Sequence, residues 1–499
     1  MRAKRPAIAS TLLVVVVILL GFSITEAKNN GFDYGPIARW LPSNGKIFGW
    51  IKDLWGFGSQ SEIGFRQPGS PADTQAAYYV MDKFMEFGLQ DVQLEPVEGW
   101  TLWTPMNFEF SVEADGTAGT IPCGYRPYTA FTGPGGVTAD LVHVGTGTTD
   151  ADFVDAAGKI VLVDLVAPGL PSDLLLMFSP FAYDPDNTLP GTLTTQNWPV
   201  NNIVDSYELA MAHGAVGYVG ILNFLTDGMK DYYSPYDGIL KDLPGLYVPR
   251  DQGAHLKSLL AAGAVEATLV LEGVTSPGVT YNVSGTLPGQ TDEIILVTSH
   301  HDGWAANEGS GASEVMSLAR YFSRLPADSR QRTLMFLAAG GHFLGDIPTK
   351  AFIAGNPEIL DRVVISLSLE MVGREYVEVN GEFVPTGLVA PRGMFISGPP
   401  FGVNATLLSF AEKSITDYGL DRTVVLPANG PLGPAPPGVA HWYFLAGKPI
   451  MHLIAAPAHQ FTPYDTPNKV QVDQLRRVTA AYADLIMQID MADAADLTN

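Results

Sequence analysis

Cysteine occurs once in the 499 residues, at Cys123, which excludes an internal disulfide and any cysteine-based metal knuckle. Basic side chains are scarce: 29 Lys and Arg stand against 52 Asp and Glu, for a net charge of −23. A chain this acidic repels nucleic acid and anionic membrane surfaces. Beyond the N-terminus no apolar run is long enough to span a bilayer. Internal repeats and low-complexity tracts are missing. So is a Gly-x-Ser-x-Gly elbow, which removes the strongest sequence sign of a serine hydrolase.

At the N-terminus Arg2, Lys4 and Arg5 precede an apolar run from Leu12 to Gly21, and Thr25-Glu26-Ala27 offers small residues for cleavage. This reads as a signal peptide over 1–27 and a secreted or periplasmic product, without stable membrane insertion after cleavage. Its removal takes the net charge to about −25. Some 470 remaining residues are too many for one simple core, so two or three units are expected.

The most informative stretch is His300-His301-Asp302-Gly303-Trp304-Ala305-Ala306-Asn307-Glu308-Gly309-Ser310-Gly311. It follows Ile294-Ile295-Leu296-Val297-Thr298-Ser299, a β-branched run of the kind buried on both faces of a parallel sheet. His300 is therefore expected at a strand's C-terminal end, where open α/β sheets bind ligands. Asp302, two residues on, is placed to orient that imidazole. Further strands are expected over 333–339, 363–369 and 449–454, with helices carrying Val315, Leu318, Ala319 and Phe322 on one stripe and running from Val472 to Ile489. The segment Pro68 to Asp73 ends in an N-cap signal at Asp73, opening a helix with Ala76, Tyr79, Val80, Phe84 and Phe87 on its buried face. Alternating apolar strands and amphipathic helices predict an α/β fold, three layers around a mostly parallel central sheet.

Five motifs in order carry a family resemblance: His300-His301-Asp302; Asn307-Glu308-Gly309-Ser310-Gly311; His342-Phe343-Leu344-Gly345; Leu369-Glu370-Met371-Val372-Gly373; and Phe461-Thr462-Pro463-Tyr464-Asp465-Thr466. The chain resembles the co-catalytic di-zinc aminopeptidases, the family that includes glutamate carboxypeptidase II and the transferrin receptor. The resemblance implies a zinc-peptidase-like domain in two parts, 28–135 and 277–490, interrupted by a smaller β-rich α+β protease-associated domain over 136–276 and followed by a flexible tail, 491–499. Within 136–276, the Pro- and aromatic-rich stretch from Val166 to Ile203 is expected to act as a lid or binding loop.

The resemblance also assigns roles. One metal falls to His300, Glu370 and the bridging column, here the neutral Asn307 with Glu308 one residue later. The other loses both private ligands to Phe343 and Phe461, and a phenyl ring offers no lone pair to a metal. At most one zinc ion is therefore expected, or none, with Glu308, Asn307 or His342 as third ligand. His342 occupies the general-base column and can move protons. Catalytic roles are thus expected of His342 and Asp302, and an aromatic cleft from Trp304 and Tyr464, with His459 reaching the site only through a loop shift. His301 and His452 read as structural.

Three functions remain on this reading: a secreted metal-dependent aminopeptidase-like hydrolase acting on a peptide or small amide; a catalytically inactive binding protein on the peptidase fold; and a metal-free hydrolase using His342 or His300 with a serine.

Overall fold

The runs Ile294–His300, Thr333–Ala339, Val363–Leu369 and Ile450–Ala455 form strands whose residues are almost all buried, as their unbroken apolar, β-branched composition requires. In the computed structural model, which describes residues 32–499 apart from 62–63, Gln196, 198–199, Ala305, 400–401, 431–432, Asn499 and the side chains of 306–307, these four strands lie side by side. They pair in parallel, with Ile294 opposite Thr333, Thr298 opposite both Leu337 and Ser368, and Ser368 opposite His452. Their C-terminal ends are therefore level. The expected signal segment, 1–27, lies outside the described residues.

The full sheet runs, edge to edge, Gly124–Tyr125, Gly245–Pro249, Gly217–Leu222, Ile160–Leu165, Val137–His143, Val265–Leu287, Thr333–Ala339, Ile294–His300, Val363–Leu369, Ile450–Ala455, Arg392–Ile396, Thr423–Pro427 and Phe181–Tyr183. Strand Val265–Leu287 joins two parallel blocks, antiparallel to Val137–His143 near its start and to Thr333–Ala339 near its end. It also pairs along nearly its whole length with Gln90–Ala114. The expected boundary at 276/277 falls inside this strand, and one hydrophobic cluster holds Trp103 and Phe110 together with Leu162, Val219 and Leu246. Tyr34–Asn499 is one compact unit by its contacts.

Alternate strand residues face opposite helical layers. Leu296, Leu337 and Ile450 pack with Phe352 and Tyr443 of the helices Ile347–Gly355 and Ala440–Leu445. On the other face Phe336 meets Phe84 of helix Pro71–Phe87, and helices Ala306–Phe322 and Val472–Met491 join through Ser317 and Thr479, 3.0 Å apart. The chain is thus a mixed α/β protein with a large, mostly parallel central sheet.

Two local expectations change. Helix Pro71–Phe87 is capped by Ser70, whose hydroxyl accepts the Asp73 N–H, because Pro71 suits the first helical position. Asp73 is instead buried inside the first turn, accepting from Gly69 N–H and the Thr280 hydroxyl and lying 3.3 Å from His301 Nδ1. The tail read as flexible is docked: Ala494–Leu497 forms a 3-10 turn with Leu497 buried, and Asn404 Nδ2 donates to Asp496 O.

The stretch 166–203 has structure of its own. Leu170–Pro171 pairs with Leu193–Thr195, Ser172–Phe178 is helical, and Phe181–Tyr183 adds the edge strand beside Thr423–Pro427. Its residues Leu170, Thr194 and Thr195 lie near His342 and Glu370.

Candidate functional site

His300 ends its strand and Glu370 follows the end of its parallel neighbour, two positions beyond the Thr298–Ser368 pair. Equal register and alternation put both side chains together: His300 Nε2 lies 3.8 Å from Glu370 Oε2. His342 enters from the turn after Thr333–Ala339, its ring stacked on that of His300 at 4.4 Å between centroids. His300, His342 and Glu370 each place one ligand atom within 4.8 Å of the other two, and all three are buried.

A second set of groups fixes these three. His300 Nδ1 sits 3.2 Å from Asp302 Oδ1, and Asp302 Oδ2 accepts the Phe343 N–H at 2.9 Å. His342 Nδ1 is 2.8 Å from Asp346 Oδ1, whose other oxygen accepts from Trp442 Nε1. Glu370 Oε1 accepts the Val439 N–H at 2.8 Å and lies 3.8 Å from His452 Nε2, while His452 Nδ1 bonds Ser368 Oγ. Each ligand-type imidazole therefore has its Nδ1 held by a carboxylate, the arrangement that aims Nε2 at a cation.

The electrostatics agree. Burial would lower the His342 pKa, but Asp346, with Glu370 and Asp302 behind it, pushes it up to about 10. Burial opposes ionisation of Asp302, yet the His300 hydrogen bond and charge, His342 and the Phe343 N–H hold it down to about 2. Burial would likewise raise Glu370, but His452, His300, His342 and the Val439 N–H keep it below the ordinary carboxylate range. Such a cluster favours a positive charge among its carboxylates.

Beside His342 and Glu370 opens a cleft whose other walls include Leu170, Thr195, Tyr236, Phe395, Ile454 and Gln460. Of its aromatic lining, Phe461 and Tyr236 pack on Phe343 behind them. Phe343 and Phe461 are both buried and meet edge to face at 5.6 Å, with Tyr236 5.4 Å from the first and 5.1 Å from the second. The two rings, expected from the resemblance to stand where a second pair of ligands would, thus share one volume. Phe461, Met371 and Asp346 adopt left-handed backbone with φ of 62°, 62° and 57°, a strained conformation for such residues that clusters at functional sites. Tyr233 N–H on Phe461 O and Asn197 Nδ2 on Gln460 O hold the Phe461 turn in place.

Not every expected residue joins the cluster. The Asn307 side chain is outside the described residues. Glu308 accepts the Trp304 N–H at 3.0 Å, near Phe343, and burial pushes its carboxyl up to about 7 against the opposing charges of His300 and His342. Trp304, expected in the cleft wall, stacks on Phe65 at 3.9 Å and meets Phe343 edge-on. Tyr464 lies toward Lys230 and Asp231. His459, expected at the cleft, points away from it into Tyr376 and Phe383, ring centroids 4.6 and 5.3 Å off, because the turn presents Gln460 and Phe461 instead.

That placement has a pH consequence. Burial, reinforced by Lys469, lowers the His459 pKa to about 3. The unfolded chain protonates it near 6.5, so its contribution is full above that pH and is lost as pH falls toward 3. His459→Phe is expected to flatten the loss of melting temperature between pH 7 and 4 relative to the parent chain; parallel curves would refute this.

Sequence reasoning missed Asp346, His452, Tyr236 and Gly438. Of these, only the four-residue spacing of His342 and Asp346 is a local signal. Gly438 is an instance of close approach: at φ +69°, an added Cβ would lie 2.4 Å from Glu370 Oε1 and 2.8 Å from His452 Nε2. Gly438→Ala is expected to cost about 1–2 kcal/mol from backbone conformation alone and to lower metal retention, read by urea midpoint and metal content.

Residues 282–387 match the profile of peptidase family M28. No curated protein matches the sequence. Among solved structures, the fold is similar to a zinc aminopeptidase from Bacillus subtilis, with a TM-score of 0.63 at 18% identity over 92% of this chain and 99% of that one. An aminopeptidase from Aneurinibacillus sp. strain AM-1 gives 0.57 at 20% identity, over 89% and 93%. A peptidase M28 precursor from Shewanella amazonensis SB2B gives 0.63 at 17%, over 90% and 98%.

Proposed function

We propose, for a chain that carries a peptidase family M28 segment on the fold of zinc aminopeptidases, that it is a metal-dependent hydrolase of peptide or amide bonds working with one zinc ion held by His300, His342 and Glu370. One observation carries this reading. His300 Nε2 and Glu370 Oε2, the two atoms that face each other at 3.8 Å, are buried and have no hydrogen-bond partner among the described residues. Buried polar atoms without partners are costly, and a shared cation satisfies both at once. Two imidazoles and a carboxylate are a donor set for zinc with a fourth position left for water.

When bound, zinc would supply Lewis acidity and acidify that water toward neutral pH. The chain's own residues do the rest. Asp302 and Asp346 fix the ring orientations of His300 and His342; the Gly438–Val439 turn holds Glu370 in place; the adjoining cavity receives the substrate. In the overall reaction, water's oxygen joins the carbonyl carbon, the C–N bond breaks, and a proton goes to the departing nitrogen. With the N-terminal signal over 1–27 and the inserted 136–276 unit read as a protease-associated domain, the enzyme would work in a secreted or periplasmic setting.

The test is metal content: protein loaded with zinc and dialysed is expected to retain close to one equivalent. None retained, with no turnover across a broad amide panel, would overturn the proposal. The competing reading, an inactive binding protein, is favoured by one observation, the Phe343–Phe461 contact where two ligands of a co-catalytic centre would stand.

A further inference from the structure

Helix Ala306–Phe322 opens just after the His300 loop and ends against the segment 39–46, where a groove is lined by Arg39, Lys46, Arg320 and Arg324 together with Trp40 and Ser43. The rise of the helix from Ala306 to Arg320 separates this groove from the His300 loop by roughly 20 Å. In a chain with 52 acidic and 29 basic side chains, four cations and no carboxylate line it among the described residues.

None of the four makes a side-chain hydrogen bond or an ion pair among the described residues. Arg39 and Lys46 rest on the rings of Trp40 and Trp50, at 4.3 and 5.5 Å, contacts that leave their charge unneutralised. Every other arginine among the described residues donates at least one hydrogen bond from its guanidinium. The three that do not all line this groove.

Capping does not account for them. Arg320 and Arg324 stand at the end of their helix, where cations often serve the last carbonyls. Those carbonyls are already taken: Ala319 O accepts the Ser323 N–H, Arg320 O the Ser323 hydroxyl, Tyr321 O the Arg324 N–H, and Phe322 O the Leu325 N–H and Arg330 Nη1. Glu86, whose carboxylate feels Lys46 and Arg320 through charge, is held by Lys83 Nζ at 2.6 Å. Helix Asn44–Ser59 begins at Ser43 in the same wall with no acid in its first turn, so its positive end adds to the four charges.

Like charges gathered without a counter-charge repel, and an anion relieves them. Guanidinium forks match phosphate oxygens in pairs, and three of them beside a lysine exceed what a lone carboxylate neutralises. Net charge then limits the ligand's size. At −23 the chain repels an extended polyanionic surface, whereas its distant acids are screened beyond about 8 Å from a small ion in the groove. We propose that this groove binds a small phosphorylated solute carrying two or more negative charges, as a diphosphate or phosphomonoester group. The site stands apart from the metal cluster and does not depend on the zinc reading.

Calorimetry and thermal unfolding of the full chain at pH 7 and low salt, without added metal, test this with inorganic pyrophosphate as probe and acetate as the singly charged control. Pyrophosphate is expected to bind one to one, at least about 10-fold more tightly than acetate, and to raise the melting temperature. The triple variant Arg39→Gln, Arg320→Gln, Arg324→Gln is expected to lose at least about 10-fold of that affinity. Its own melting temperature should equal or exceed the parent's, since none of the three side chains is buried or bonded. The matching triple to lysine keeps the charge without the fork and should bind with intermediate affinity; it carries the comparison if the glutamine variant melts early. Arg362→Gln, exposed elsewhere, and His300→Ala should bind like the parent. Loss in His300→Ala would put the anion at the metal cluster and overturn the groove. Indifference to both triple variants, or equal binding of acetate, means an adventitious ion only. Sedimentation with phosphatidylglycerol vesicles, without pyrophosphate binding, would replace the solute by a membrane surface and also overturn the proposal.

Discussion

His300→Ala is expected to abolish zinc retention and to lower kcat/KM for an amide substrate by at least about 10³-fold, roughly 4 kcal/mol of transition-state stabilisation, while the chain stays folded. On the proposed function His300 is one of three donors, and a two-donor site of His342 and Glu370 would not hold zinc through dialysis. Asp346→Asn and Asp302→Asn are the informative companions. Each keeps the ligands and weakens the group that orients one of them, so metal affinity should fall about 10- to 100-fold rather than vanish. If His300→Ala leaves zinc content or turnover unchanged, the chemistry is not at this cluster.

The sheet was legible because its strands are buried on both faces: Thr333–Ala339 and Val363–Leu369 fall where their apolar runs stand, and His300 sits at the end of its strand as the flanking sequence requires. The pairing of His300, Glu370 and His342 followed from motif order, since parallel strands of equal register bring their following residues together. What the sequence hid depends on side-chain direction within turns. Trp304, Glu308 and His459 sit in the right loops but do not line the cavity, and nothing local distinguishes His459 from Gln460 beside it. Likewise Thr195 and Leu170 reach the cavity through a 166–203 stretch whose ladder and edge strand are too short to show periodicity. His452 reads as structural from an apolar strand, and its ring nonetheless faces Glu370 at 3.8 Å.

Phe343 is where the fold and the proposed one-metal site depend on the same side chain, and Phe343→Ala is expected to cost about 3–5 kcal/mol, as for other fully buried phenylalanines. The ring has no exposed surface and contacts Phe461, Trp304, Tyr233 and Tyr236 at centroid distances of 5.4 to 6.0 Å, so little can collapse into its place. Introducing the ligands that the resemblance implies, in the triple variant Asn307→Asp, Phe343→Glu, Phe461→His, is a sharper test of the same volume. The carboxylate that replaces the Phe343 ring would stand among aromatic rings and near Glu308, whose own carboxyl burial already pushes up to about 7. Without metal, that uncompensated buried charge should destabilise the chain by at least about 3 kcal/mol. Zinc neutralises both acids and gives the new imidazole a partner, so adding it should recover much of the loss and raise retained metal from one equivalent to two. A triple variant that unfolds alike with and without zinc, or stays at one equivalent, would mean that Phe343 and Phe461 do not occupy the places of metal ligands, and that their contact is core packing and nothing more.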